Sequence, residues 1–103
     1  MLTIRSSVGG TPVDGAPGGK AVVSNPARLD DTLAEVALGD AATFVDALRA
    51  AREAQRGWAA TPAPSRGRVV QQFGRLVEDN AETLAQLITR EIGKPIAESR
   101  GEA

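Results

Sequence analysis

The stretch Gly39-Asp40-Ala41-Ala42-Thr43-Phe44-Val45-Asp46-Ala47-Leu48 marks the point at which the chain changes character. Asp40 follows a glycine and precedes a periodic run, so its carboxylate is placed to accept from the free amides of a helix starting at Ala41. Phe44, Leu48, Ala51 and Trp58 then recur at spacings of four, three and seven, which lays them along one stripe. At that spacing Trp58 reads as a core residue rather than a stacking platform for a ligand. Arg49 and Glu53, four apart, are expected to pair on the outer face. Gly57 and the run Thr61-Pro62-Ala63-Pro64 end this helix within a turn or two of Trp58.

Downstream the helical pattern continues. Pro64 suits the first turn of a second helix, where its missing amide costs nothing. Val69, Val70, Phe73, Leu76 and Val77 form the apolar face of that helix, and Arg66, Arg68, Arg75 and Glu78 are assigned to water. The arginines have Glu78 and Asp79 close by, so a solvated helix face outweighs a phosphate site. Asn80 is expected to stop this helix and cap the next. In the third helix Glu82 lies at the positive end of the dipole, and Leu84, Leu87, Ile88 and Ile92 supply a buried stripe. Gly93 is placed to end it in the left-handed conformation. Pro95 opens a fourth helix that reaches Ala103 without a stop signal. Two helical turns are marginal in water, so the sequence is expected to continue in full-length relatives.

Upstream of Asp40 the glycines and Pro12, Pro17 and Pro26 alternate with short β-branched runs, a pattern of strands joined by turns. Three extended segments are expected, at Ser7 to Val13, Ala21 to Ser24 and Thr32 to Leu38. In the third, Ala34, Val36 and Leu38 share one face while Leu33, Glu35 and Ala37 share the other, and only one face is fit for a core. Pro12 cannot donate to a ladder, so the first segment belongs at an edge or beside a bend. Gly18-Gly19-Lys20 imitates the end of a phosphate loop. It fails, because Asp14 stands where that motif needs glycine and Ala21 where it needs serine or threonine.

Composition narrows the chemistry. The chain has 103 residues, no cysteine, no histidine and a net charge of -1. That removes thiolate nucleophiles, sulfur or imidazole metal ligands and the commonest base near neutral pH. It also gives no field to gather nucleic acid or anionic lipid, so neither nucleic acid nor membrane is expected as a partner. No signal peptide and no run near the ~20 apolar residues of a bilayer span is present, which makes a cytoplasmic location the expectation. Of the apolar residues 18 are alanine, which favours helix but buries little area. One small domain is the ceiling, and a neighbouring surface is expected to be needed to complete its fold. The isolated chain is expected to be partly molten.

A resemblance rests on Asn25-Pro26-Ala27, Ala34-Glu35-Val36, Gly39-Asp40, Ala50-Ala51-Arg52-Glu53-Ala54 with Trp58, Arg66, Glu91-Ile92-Gly93-Lys94-Pro95 and Glu98. In this order and spacing they resemble the N-terminal part of the aldehyde dehydrogenase superfamily. The residues from Val8 to Gly15 resemble its first strand and turn more weakly. No one of these pieces is specific; the ordered set, spanning Val8 to Glu102, is.

The resemblance implies an α/β fold with a Rossmann-like NAD(P) domain, a catalytic domain carrying a nucleophilic cysteine, and an oligomerisation arm. Of this fold the chain would hold the N-terminal part: short strands within 7–38, then three helices and the start of a fourth, locally mostly α. Residues 1–39 would be a strand and turn region and residues 40–103 the helical start of an incomplete NAD(P)-binding domain. The reaction implied is oxidation of an aldehyde to an acid through a thiohemiacetal and a thioester. The implied cysteine, glutamate and asparagine all lie beyond residue 103, so no catalytic or cofactor-binding residue is assigned here. NAD or NADP is the cofactor of the full-length family, and neither is expected to bind this chain alone. Partners implied are the remainder of the enzyme or a complementary fragment, in a family that is usually homo-oligomeric. Some members hold a monovalent cation, and the matching positions are Val23 and Ser24, through backbone carbonyls, and Glu91. The competing reading of Glu91 is a solvated helix-end carboxylate. The competing reading of the whole chain is a non-enzymatic helical module that docks on a partner protein through Phe73, Leu76, Leu84 and Ile88.

Overall fold

A computed structural model describes residues 1–103. Its elements follow the expected order of short strands and then helices: β1 (Leu2–Ile4), β2 (Ser7–Val8), β3 (Thr11–Pro12), β4 (Lys20–Asn25), β5 (Arg28–Ala37), α1 (Ala41–Ala60), α2 (Ala63–Asp79), α3 (Ala81–Ile92) and α4 (Ile96–Glu102). No helix is long and apolar enough to cross a membrane.

The helix ends sit where local chemistry puts them. Asp40 Oδ1 accepts from the Thr43 amide at 2.9 Å, and Thr43 Oγ1 accepts from the Asp40 amide at 3.3 Å, a reciprocal cap on α1. The hydrogen bond from the Thr43 amide first, and then one that Thr43 Oγ1 donates to Asp40 Oδ1 at 2.8 Å, hold the Asp40 carboxyl below its usual range. At the other end Thr61 Oγ1 and the Thr61 amide both donate to the Gly57 carbonyl, and Pro62 follows. Asn80 does half of what was expected. Its Nδ2 donates back to the Leu76 carbonyl at 2.8 Å, closing α2, and its side chain makes no cap bond to α3.

The strands depart further from expectation. The segment from Ser7 to Val13 is a hairpin rather than one strand, with Ser7 opposite Pro12 and Val8 opposite Thr11. Gly9 and Gly10 form its turn with φ of 58° and 80°, the pair of positive angles that a two-residue hairpin turn demands. A three-stranded sheet has the order β1-β5-β4, and β1, absent from the reading above, pairs parallel with β5 through Leu2 and Ala34. The central strand β5 begins at Arg28, four residues before the expected start, because β4 turns back on it through Pro26-Ala27 and its charged first half has a pairing partner. Its two faces are not one covered and one bare: Leu33 and Ala34, on opposite faces, are each only 5% exposed.

Contacts group the chain into two compact units, Met1–Val22 with Ala34–Pro62, and Val23–Leu33 with Ala63–Ala103. The chain passes from one unit to the other after Val22, Leu33 and Pro62. Each unit draws on residues from both sides of Asp40.

The apolar stripes form but are not covered. Neither α1 nor α2 has a buried residue. Phe44, Leu48 and Trp58, expected in a core, are exposed, Phe44 at 65%, as are Val69, Val70, Phe73 and Leu76 on α2. In α3 the residue that is fully buried is Ala85, while Leu84, Leu87 and Ile88 are half-buried and Ile92 is exposed. Periodicity sets which residues share a face, but burial requires an opposing surface, and this chain supplies one for only a few of them. Two charge assignments also change. Arg49 lies 3.9 Å from Asp46, one turn earlier, rather than on Glu53, and Arg66 is half-buried with a dry Nε instead of facing water.

Candidate functional site

The densest polar network lies in the second unit, where the β4–β5 turn meets the end of α3. Asn25 Oδ1 accepts from the Ala27 amide at 2.9 Å, the side-chain turn that asparagine makes two residues ahead of itself. The same side chain donates through Nδ2 to Asp31 Oδ2 at 3.3 Å. Asp31 in turn receives both arms of Arg90, Nε at 3.1 Å and Nη2 at 2.6 Å. A planar guanidinium facing a planar carboxylate in this way fixes orientation as well as distance. The hydrogen bond from Arg90 is the main reason the Asp31 carboxyl is lowered from 3.8 to about 2, with Asn25 adding to it.

Gly93 completes the junction. It ends α3 at φ 80°, and its amide donates to the Thr89 carbonyl at 2.8 Å. A Cβ at this position would stand 3.0 Å from Pro26 Cγ and 3.2 Å from the Ala27 amide nitrogen. Glycine therefore meets two demands here, a left-handed backbone and a close approach to the Asn25-Pro26-Ala27 turn. The sequence Gly93-Lys94-Pro95 then turns the chain into α4. That short helix is held to α3 and the connecting loop by side chains: Ser99, fully buried, shares a hydrogen bond of 2.7 Å with Thr89; Arg100 forks onto Glu82 at 2.9 Å from both nitrogens; and Lys94 pairs with Glu102. The Arg100 hydrogen bond keeps the Glu82 carboxyl below its ordinary range.

The three positions that the resemblance matched to a cation flank this junction in the sequence. Val23 and Ser24 are half-buried in β4, in the strand that leads into the Asn25 turn. Glu91 is exposed in the last turn of α3, next to Arg90. No three carboxylates come together as a metal cluster. Lys20, the lysine of the failed phosphate loop, is taken by Glu35 Oε1 at 2.8 Å across β4 and β5.

Sequence reading missed Asp31, Arg90 and Ser99. The first two are 59 positions apart, and neither stands in a local pattern that announces a partner. Ser99 is flanked by Glu98 and Arg100, so its surroundings read as solvent. Chemically the junction is a scaffold: it orders a turn and two helix ends through ion pairs and hydrogen bonds, in a chain without cysteine or histidine.

Residues 13–103 match the aldehyde dehydrogenase family. Malonate-semialdehyde dehydrogenase 2 of Geobacillus kaustophilus is 36% identical over 102 residues, which are 99% of this chain and 21% of the relative. Among solved structures, a 3,6-anhydro-L-galactose dehydrogenase in complex with NADP superimposes with a TM-score of 0.90 at 33% identity, covering 97% of this chain and 21% of that one. A Sinorhizobium meliloti protein described as a methylmalonate-semialdehyde dehydrogenase, complexed with NAD, gives a TM-score of 0.84 at 34% identity, with 99% and 21% covered. The chain thus spans about a fifth of the length of the curated relatives it matches. What is built here, short strands followed by four helices, is a fragment of their α/β fold.

Proposed function

Because the chain belongs to the aldehyde dehydrogenase family, we propose that it serves as the N-terminal segment of an NAD(P)-dependent oxidoreductase that converts an aldehyde to a carboxylic acid, and that alone it turns nothing over. One observation carries this reading. The match runs over almost the whole of this chain yet only a fifth of its relatives, and within it no cysteine exists to form a thiohemiacetal. On this reading residues 40–103 are the helical start of the NAD(P)-binding domain, and residues 1–39 are the strands and turns before it. The junction of Asn25, Asp31, Arg90 and Gly93 sets the path between them. NAD or NADP is the cofactor of the whole enzyme, as the NADP and NAD complexes of its relatives support, and neither binds this segment by itself. Its partner is the remainder of the fold, in a cytoplasmic and homo-oligomeric enzyme.

The carbonyls of Val23 and Ser24 with the carboxylate of Glu91 are hard oxygen donors, a set whose chemistry suits a monovalent cation, with further ligands supplied from outside this chain. When bound, the ion would brace the strand before the Asn25 turn against the end of α3. If so, Glu91→Gln should abolish any dependence of the assembled protein's thermal stability on sodium or potassium, and an unchanged salt response would remove these residues from the assignment.

The principal test mixes the purified chain with a polypeptide carrying the remaining four-fifths of a relative and follows NAD(P)H formation from malonate semialdehyde. Each part alone is expected to be silent and the mixture active. Turnover by the chain alone that survives repurification would overturn the reading.

A further inference from the structure

We draw no further inference here: the strongest candidate, the exposed apolar stripe that Val69, Phe73 and Leu76 lay along α2, is an unpartnered helix face, and nothing in the structure shows what covers it.

Discussion

At the scale of single residues, Asp31 links the acid response of the chain to its geometry. The hydrogen bonds from Arg90 first, and from Asn25, hold its carboxyl at about 2 in the folded state against an ordinary 3.8, so on acidification the unfolded chain takes up the proton first. The stabilisation from the pair is therefore complete above pH about 4, declines between about 4 and 2, and is gone below. Asp31→Asn removes the carboxylate's charge and its titration and should flatten the acid limb of a urea-unfolding series over that window while leaving the neutral limb lower; identical acid limbs in both proteins would contradict the assignment. Gly93 is a sharper case because two effects add. Gly93→Ala forces an L residue into the left-handed region, at roughly 1–2 kcal/mol, and drives a methyl against Pro26 and Ala27. Its denaturation midpoint should fall, and amide exchange at Ala27 should accelerate. A variant as stable as the parent would mean that the turn and the helix end are not held together in solution.

At the scale of elements, what was legible in the sequence follows from how local the signal is. The start of α1 was readable because Asp40 caps its own neighbours, and Asp40→Ala should raise amide exchange at Ala42 and Thr43 several-fold, whereas Asp40→Asn should largely spare them. The ends of α1 and α3 were readable from Pro62 and Gly93 for the same reason. Strands are different. Leu2-Thr3-Ile4 is too short to announce a strand by itself, and its partner Ala34-Glu35-Val36 lies over thirty residues away. Within the candidate site the Asn25-Pro26-Ala27 turn and Gly93 were visible as motif residues, but the Asp31–Arg90 fork that joins them depends on folding and left no trace in spacing. The helix faces divide in two: periodicity placed Phe73 and Leu76 on one side of α2 correctly, and their exposure was beyond its reach. Gly67 and Gly74 in that helix have open space where a Cβ would go. Replacing either by alanine should stabilise the isolated chain by about 0.8–1 kcal/mol, read as a higher urea midpoint, because only backbone entropy changes.

For the molecule as a whole the governing quantity is surface left uncovered. Two separate compact bodies of half this mass would expose about 6600 Å² between them. The chain exposes 7601 Å², and its buried apolar residues are Leu33, Ala34 and Ala85. Two of these are alanines, which contribute little burial, so few large side chains are buried to offset the conformational entropy of ordering 103 residues. Helices are the part that persists with so little burial, since α1, α2 and α3 carry their own backbone hydrogen bonds and α1 its own cap. The purified chain should therefore show strong far-ultraviolet helix signal, weak near-ultraviolet signal, dye binding typical of exposed apolar surface, and a broad thermal transition. Trp58, the single tryptophan and 41% exposed, should emit to the red of a buried indole. Adding the remainder of a relative's fold should keep the helix signal and reverse the other signs together, with dye released and the melt sharpened in one step, because the same exposed stripes would then find an opposing surface. A sharp melt and a blue-shifted Trp58 in the chain by itself would show instead that these few contacts suffice, and would remove the physical ground for treating the segment as incomplete.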